Sequence, residues 1–366
     1  MSFSSAIQWT IRSNRILLRG CSSIRHFSVH SYRQSMADPS ATSVAASFLS
    51  RFQSFGPQTR TQALDSKQLQ LLSLTLNRPS LFPDSPSLSN TSTSLPTGTP
   101  LPPGYHLVYF TPAFLESELG ADGTDVSYNP ETPFTRRMWA GGEVHWPRAA
   151  DGNPNPLRVG QEVQETTKVL SAEPKIVRKT GEEMVVVGVE KEFRNEHGVA
   201  VVDRRNWVFR KALSVPLVSS TASEPAPVPT APAFSSTVST AKNHTRTLRQ
   251  TAVTLFRFSA LTFNPHKIHY STPWAQQVEG HRDIVVHGPL NLISILDLWR
   301  DTRPTKSDDP ALMLPESIAY RATSPLYAED EYQIVLDEGE GDGVGRVQIL
   351  APDGNVAMKA EVKSAK

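Results

Sequence analysis

Apolar and polar positions follow two rhythms along this chain. Over 66–76 the apolar residues recur at helical spacing, which predicts a short amphipathic helix that stops near Pro79. Residues 105–110 alternate and predict the start of a strand. β-rich runs bounded by Gly, Pro or polar turns follow at 136–146, 161–170, 184–193 and 199–211, with Asn195-Glu196-His197-Gly198 as a turn between two long strands. This first block reads as mostly antiparallel sheet with few helices. The second has another pattern. An apolar and aromatic run at 255–261 precedes a polar, His-rich stretch at 262–270. Ser271 or Thr272 can cap a short helix, with Pro273 in its tolerant first turn. Residues 284–286 are apolar and meet His287-Gly288-Pro289. The run 290–300 is apolar on most sides, which predicts a buried helix. Strands are predicted at 317–322, 331–337, 345–350 and 356–362. One buried helix followed by a long antiparallel meander predicts a sheet wrapped around that helix.

The stretches between these runs have a different composition. From 77 to 103, 17 of 27 residues are Pro, Ser or Thr, which predicts an insert too poor in apolar surface to offset its ordering entropy. From 214 to 240, 20 of 27 are Pro, Ser, Thr or Ala, which predicts an interdomain linker. With 366 residues, the chain is long enough for two packed domains, over 61–213 and 241–366.

Charge is uneven. Residues 1–37 contain Arg12, Arg15, Arg19, Arg25 and Arg33 but no Lys, Asp or Glu, and they are rich in Ser. An Arg-rich, Ser-rich, acid-poor start has the composition of a mitochondrial transit peptide. Arg25-His26-Phe27-Ser28 suits cleavage near residue 28, making 1–28 the presequence and the matrix its destination. Losing its four arginines would leave 33 basic against 36 acidic residues, a net charge near −3. Cys21, the one cysteine, would leave too; it already excludes an internal disulfide framework and a Cys-based zinc cluster. The balance of charge gives no reason to expect a nucleic-acid partner, and no apolar run reaches the roughly 20 residues of a membrane span.

The candidate chemistry is concentrated in the second block. Asn264, His266, His269 and His287 flank the predicted buried helix. Histidine changes charge near working pH and is the natural proton-transfer group. Gly288 stands where that helix starts, so its N–H is unsatisfied within the helix and lies at the positive end of the dipole. Such a donor can polarise a carbonyl and stabilise an enolate. Proton transfer with oxyanion stabilisation is the machinery for adding or removing water beside a thioester. The same histidines could instead be satisfied structural residues. A metal site has less support, because no carboxylate stands beside them at ligand spacing.

The run Phe256-Arg257-Phe258-Ser259-Ala260-Leu261-Thr262-Phe263-Asn264-Pro265-His266-Lys267-Ile268-His269-Tyr270, with Val286-His287-Gly288-Pro289-Leu290, resembles the hydratase-2 (MaoC-like) hot-dog family. More narrowly it resembles the mitochondrial 3-hydroxyacyl-thioester dehydratases of type 2, and it is similar to mesaconyl-C4-CoA hydratase. Arg136-Arg137-Met138-Trp139-Ala140-Gly141-Gly142 matches the same subfamily's N-terminal half. The resemblance implies an α+β double hot dog, two antiparallel sheets each wrapped around a central helix, with a non-catalytic N-terminal half that widens the acyl pocket. The family motif is Asp, any residue, Asn-Pro, any residue, His. Aligned on the small residue six beyond the histidine, here Ala275, it places His269 on the catalytic His and Asn264 on the Asp. The competing register, on Asn264-Pro265, puts Thr262 at the Asp and Lys267 where the His is needed. An amide orients water but takes up no proton, so His269 would carry the ionising work. Ser271 stands where the family often has an acid.

By this resemblance the protein dehydrates (3R)-hydroxyacyl thioesters to trans-2-enoyl thioesters in mitochondrial type II fatty acid synthesis. No cofactor is expected. Its catalytic groups would be His269, Asn264 and Gly288, with His266, His287, Arg249 and Arg300 binding substrate. Arg246, Arg249, Arg300, Arg303 and Lys306 could meet the phosphates of coenzyme A or the acidic surface of acyl carrier protein, or simply form a solvated charged face. The expected assembly is a homodimer or a pseudo-dimeric monomer. A CoA hydratase of small dicarboxylic or branched acyl groups, and a non-catalytic acyl-binding hot-dog protein, are the competing functions. A cation placed to meet a substrate carboxylate would favour the former competitor. A thioesterase is disfavoured because the loop offers no carboxylate.

Overall fold

Within 38–366 the computed structural model describes every residue except 83–84, 92, 179, 214–232, 304–313, 340 and 366. The presequence, Cys21, Lys306 and most of the 214–240 linker therefore lie outside the described residues. In chain order the regular elements are α1 (Ala41–Phe55), β1 (Gln58–Ala63), α2 (Ser66–Thr75), β2 (Arg136–His145), β3 (Glu162–Ile176), β4 (Glu183–Asn195) and β5 (Gly198–Arg210). Then come β6 (Phe234–Ser239), β7 (Asn243–Arg249), α3 (Ala252–Leu261), α4 (Gly288–Asp301), β8 (Pro315–Ala322), β9 (Glu331–Asp337), β10 (Val344–Leu350) and β11 (Val356–Ser364). The strands form one antiparallel sheet ordered β1-β3-β4-β5-β2-β8-β11-β10-β9-β7-β6. The architecture is a double hot dog, with each half repeating strand, helix and four further strands, the last three of them a meander.

The halves meet where β2 pairs with β8, Gly141 opposite Arg321 through His145 opposite Ser317. Glycine makes this seam possible. A Cβ on Gly141 would sit 2.5 Å from the Tyr320 carbonyl oxygen, and one on Gly142 would sit 2.8 Å from the Tyr320 hydroxyl. Consequently 38–366 forms one unit rather than two separately packed domains.

The C-terminal half matches its apolar pattern closely. Every residue of α4 from Leu290 to Arg300 is buried. The sheet supplies Ile318, Tyr332, Ile334, Leu336, Val347, Ile349 and Val362 to the same core. In the N-terminal half, α1 lays Ala41, Val44, Ala45 and Phe48 on Val185, Val187, Val189, Trp207 and Phe209. The Ser40 hydroxyl caps it by accepting from Ser43 N–H at 3.2 Å. This half therefore begins near residue 41, ahead of the predicted boundary at 61. The strand predicted at 105–110 is instead a 3-10 turn, Tyr105–Val108. Both Tyr105 and His106 are buried, so one-sided alternation does not describe it.

The Pro/Ser/Thr-rich stretch 77–103 corrects a second expectation. Leu81, Leu88 and Leu101 are buried in the main core, and Leu95 packs against it. Backbone bonds pin its far end, with Leu101 N donating to the Leu157 carbonyl at 2.8 Å. A few well-spaced leucines anchor a segment whose average composition is polar. The expected linker also ends early, since β6 pairs with β7 as the sheet's edge. No helix among the described residues is long and apolar enough to cross a membrane.

Candidate active site

A cleft of about 1790 Å³ opens between the two halves of the sheet, and Asn264, His266, His269, His287 and Gly288 all line it. Three local devices bring them together. Helix α3, capped by the Thr251 hydroxyl, ends at Leu261 and releases the chain into the 262–270 loop. Phe263 turns the chain with φ +46°, and the Asn264 side-chain oxygen accepts from His266 N–H at 3.3 Å. A 3-10 turn, Lys267–His269, then carries His269 beside the start of α4.

The imidazoles are packed face to face. His269 and His287 stack with centroids 3.6 Å apart and planes 18° from parallel, and His266 meets His269 edge-on at 5.4 Å. His269 Nδ1 lies 2.7 Å from the Val285 carbonyl oxygen. A carbonyl only accepts, so Nδ1 carries the proton and Nε2 keeps its lone pair. His287 Nε2 contacts the Ser259 hydroxyl at 2.9 Å, and its buried Nδ1 meets no partner among the described residues.

Burial holds all three neutral. The pKa of His269 falls to about 3, through burial and then the repulsion of His266. That of His266 falls to about 3, through burial and then Arg137. His287 is pushed well below its usual value by burial, with His269 and His266 adding to it. A charged pair could not stack at this distance at such burial. The site thus holds free imidazole bases at neutral pH.

Gly288 opens α4, with His287 as its cap residue. The indole of Trp139 lies against it: a Cβ on Gly288 would be 2.2 Å from Trp139 Cε3. Trp139 in turn stacks on Tyr320 at 4.7 Å. A side chain at 288 would meet the Trp139 ring, so glycine is required for this close packing.

The sequence pattern did not show what the N-terminal half contributes. Asp122 brings a carboxylate 3.7 Å from His266 Nε2. Its loop is tied to the hydratase loop, since Lys267 N–H donates to the Asp122 carbonyl at 2.8 Å and Lys267 Nζ to the Ala121 carbonyl at 2.7 Å. Trp139 and Arg137, both in the Arg-Arg-Met-Trp run, line the cleft. That run was the available signal for these two; Asp122 had none. Deeper in the N-terminal half, Lys191 donates to Glu165 at 3.0 Å and Arg205 to Asp203 at 2.6 Å.

Two proposed substrate contacts are corrected. Arg300 is 1% exposed, donates to Asp297 at 2.9 Å and lies over the rings of Phe82 and Tyr105. A side chain on the buried face of α4 cannot meet a phosphate. Arg249 sits on β7 over the Phe234 ring, outside the lining of the cleft. Of their neighbours, Arg246 pairs with Asp301 at 2.9 Å and Arg303 with Glu338 at 3.1 Å.

Residues 104–328 match the family described as hydroxyacyl-thioester dehydratase type 2. The mesaconyl-C(4)-CoA hydratase of Chloroflexus aurantiacus is 30% identical over 269 residues, covering 72% of this chain and 84% of that protein. The mitochondrial hydroxyacyl-thioester dehydratase type 2 of Schizosaccharomyces pombe is 26% identical over 265 residues, covering 66% and 79%. In fold, the chain is similar to a MaoC-like dehydratase from Phytophthora capsici, with a TM-score of 0.56 at 14% identity, covering 85% of this chain and 95% of that one.

Proposed function

The chain belongs to the hydroxyacyl-thioester dehydratase type 2 family, and from that premise we propose how its own residues carry out the hydro-lyase reaction and where. The observation that supports the assignment best is the tautomer of His269. Its Nδ1–H is fixed on the Val285 carbonyl, so Nε2 is an unprotonated base inside the cleft. The thioester carbonyl of a (3R)-hydroxyacyl substrate accepts from Gly288 N–H at the start of α4. That donor stabilises the enolate as the C2 proton leaves. His269 Nε2 takes that proton and returns one to the C3 hydroxyl. The C3–O bond breaks, water departs, and the electron pair from C2 becomes the C2–C3 double bond. Asn264 orients the hydroxyl through its amide N–H groups, while His287 anchors the stack through Ser259.

The physiological setting is the mitochondrial matrix and type II fatty acid synthesis, with acyl carrier protein or coenzyme A as the carrier. The arginine-rich start of the sequence and the mitochondrial relative from S. pombe support this. The pseudo-dimeric sheet fits a complete site in one chain, whether the protein is a monomer or a homodimer. The deciding experiment is hydration of crotonyl-CoA, followed by loss of enoyl absorbance, by the protein from residue 29 and by His269→Ala. Turnover abolished in a folded variant is expected. Retained turnover would move the base to His266 or His287.

A further inference from the structure

Adjacent arginines on β2 meet different fates. Arg136 donates to Glu279 at 2.7 Å. Arg137 faces the cleft, with its guanidinium 5.3 Å from the Trp207 ring centroid, and makes no hydrogen bond or ion pair among the described residues. The nearest carboxylates are engaged elsewhere: Asp122 by Thr124 N–H and hydroxyl at 2.9 and 2.8 Å, and Asp125 by Ser127 N–H at 2.7 Å. Burial lowers the Arg137 pKa, with Asp125 and then Asp122 partly offsetting it. The group remains charged, because guanidinium does not deprotonate in proteins. A partly desolvated cation with an unused five-donor fork inside a substrate cleft calls for an anion.

The position of Arg137 indicates which anion. Trp139 lies two residues along the same face of β2, about 7 Å of strand, and its ring touches Gly288. Arg137 is therefore close to where the thioester carbonyl is polarised. The phosphates of a carrier are kept from that point by the whole pantetheine arm. A carboxylate borne by the acyl group itself, a few carbons from the carbonyl, is within reach.

We propose that Arg137 is the anion-recognition residue of the cleft and that it fits the enzyme to short acyl thioesters ending in a carboxylate, in addition to simple alkyl chains. This rests on the dehydratase function above. The reaction is unchanged: water adds across C2=C3, with hydroxyl to C3 and hydrogen to C2.

The test pairs crotonyl-CoA with fumaryl-CoA, in which a carboxylate replaces the terminal methyl, and adds crotonyl-N-acetylcysteamine, which has no phosphate. Arg137→Gln should lose about 30- to 1000-fold in kcat/KM on fumaryl-CoA and change little on the two crotonyl substrates. Arg137→Lys should recover part of the loss. Failure of the wild type to hydrate fumaryl-CoA while it hydrates crotonyl-CoA overturns the proposal. A loss on both CoA substrates that spares the N-acetylcysteamine thioester overturns it in favour of a carrier phosphate. An equal loss on all three reduces Arg137 to a structural role. If the wild type hydrates neither CoA substrate, the dehydratase function itself fails. Calorimetry with succinyl-CoA and butyryl-CoA then decides: a succinyl preference lost in Arg137→Gln upholds the anion site, and its absence overturns it.

Discussion

Replacing Gly288 with alanine perturbs the start of α4 by a single methyl group. At an unconstrained helical site the change stabilises by about 0.4–1 kcal/mol, since alanine loses less backbone freedom on folding. Here the new Cβ would lie 2.2 Å from Trp139 Cε3 and 2.8 Å from Cζ3. The indole has little room to retreat, because its other side is stacked on Tyr320 at 4.7 Å. Overpacking of this kind costs about 1–3 kcal/mol, so the sign reverses and Gly288→Ala should be destabilised by about 1–2 kcal/mol. The alanine keeps its N–H, but relief of the clash moves that donor. A misplaced oxyanion donor lowers turnover by about 10²-fold. Urea unfolding and crotonyl-CoA hydration measure the two effects. Trp139→Leu in the same chain should return part of the lost stability, which gives a double-mutant cycle with a coupling of about 1 kcal/mol or more. Additive single effects, or a Gly288→Ala variant with native stability and turnover, would refute the close packing of Trp139 on the helix start.

Three further outcomes are expected. The pKa of His269 near 3 should leave kcat/KM for crotonyl-CoA flat from pH 8 down to about 5; an acid limb near pH 6.5 would show another base. The buried histidines also set the pH dependence of stability. Their folded pKa values lie below the unfolded value, so the unfolded chain takes up protons first and stability is lost as pH falls from about 6.5 toward 3. Each contributes up to about 1.4 kcal/mol per pH unit within that window, and His287→Phe should flatten the slope measured by denaturant unfolding by about one histidine's share. Arg300→Ala should cost about 1.5–3 kcal/mol by removing one of the buried partners of Asp297, which keeps the Tyr105 hydroxyl at 3.1 Å and Arg78 at 3.8 Å, with the KM for crotonyl-CoA unchanged in the folded fraction; a KM effect without a stability loss would return Arg300 to the substrate.

What was legible in the sequence follows from how local each feature is. His269, Asn264 and Gly288 lie within one stretch of chain, and the loop, the cap and the buried helix that assemble them are all encoded there. The C-terminal strands were equally legible, because one face of each is buried against α4 and the alternation survives intact. Composition misled wherever a few residues do the anchoring. Leu81, Leu88 and Leu101 hold 77–103 on the core although 17 of its 27 residues are Pro, Ser or Thr. The apolar face of α1 has the i, i+3, i+4, i+7 spacing of Ala41, Val44, Ala45 and Phe48, but it adjoins the arginine-rich segment, whose composition masks it. Arg300 shows the opposite error: a positive charge near a helix end suggests surface, yet Asp297 one turn earlier lets it sit inside.

The contributions of the N-terminal half were hidden for a more basic reason. Asp122 reaches His266 across 144 positions of chain, and Trp139 reaches Gly288 through the β2–β8 seam. No periodicity encodes such pairs. Asn264 stands where the family motif has an Asp, and the N-terminal half brings a carboxylate, Asp122, to 3.7 Å from His266 Nε2. Fusion of two hot dogs into one sheet thus allows the half without the histidine motif to supply charge to the half that has it. The N-terminal half can thereby change the charge around the histidine loop, through Asp122 and Arg137, without any change in the loop itself.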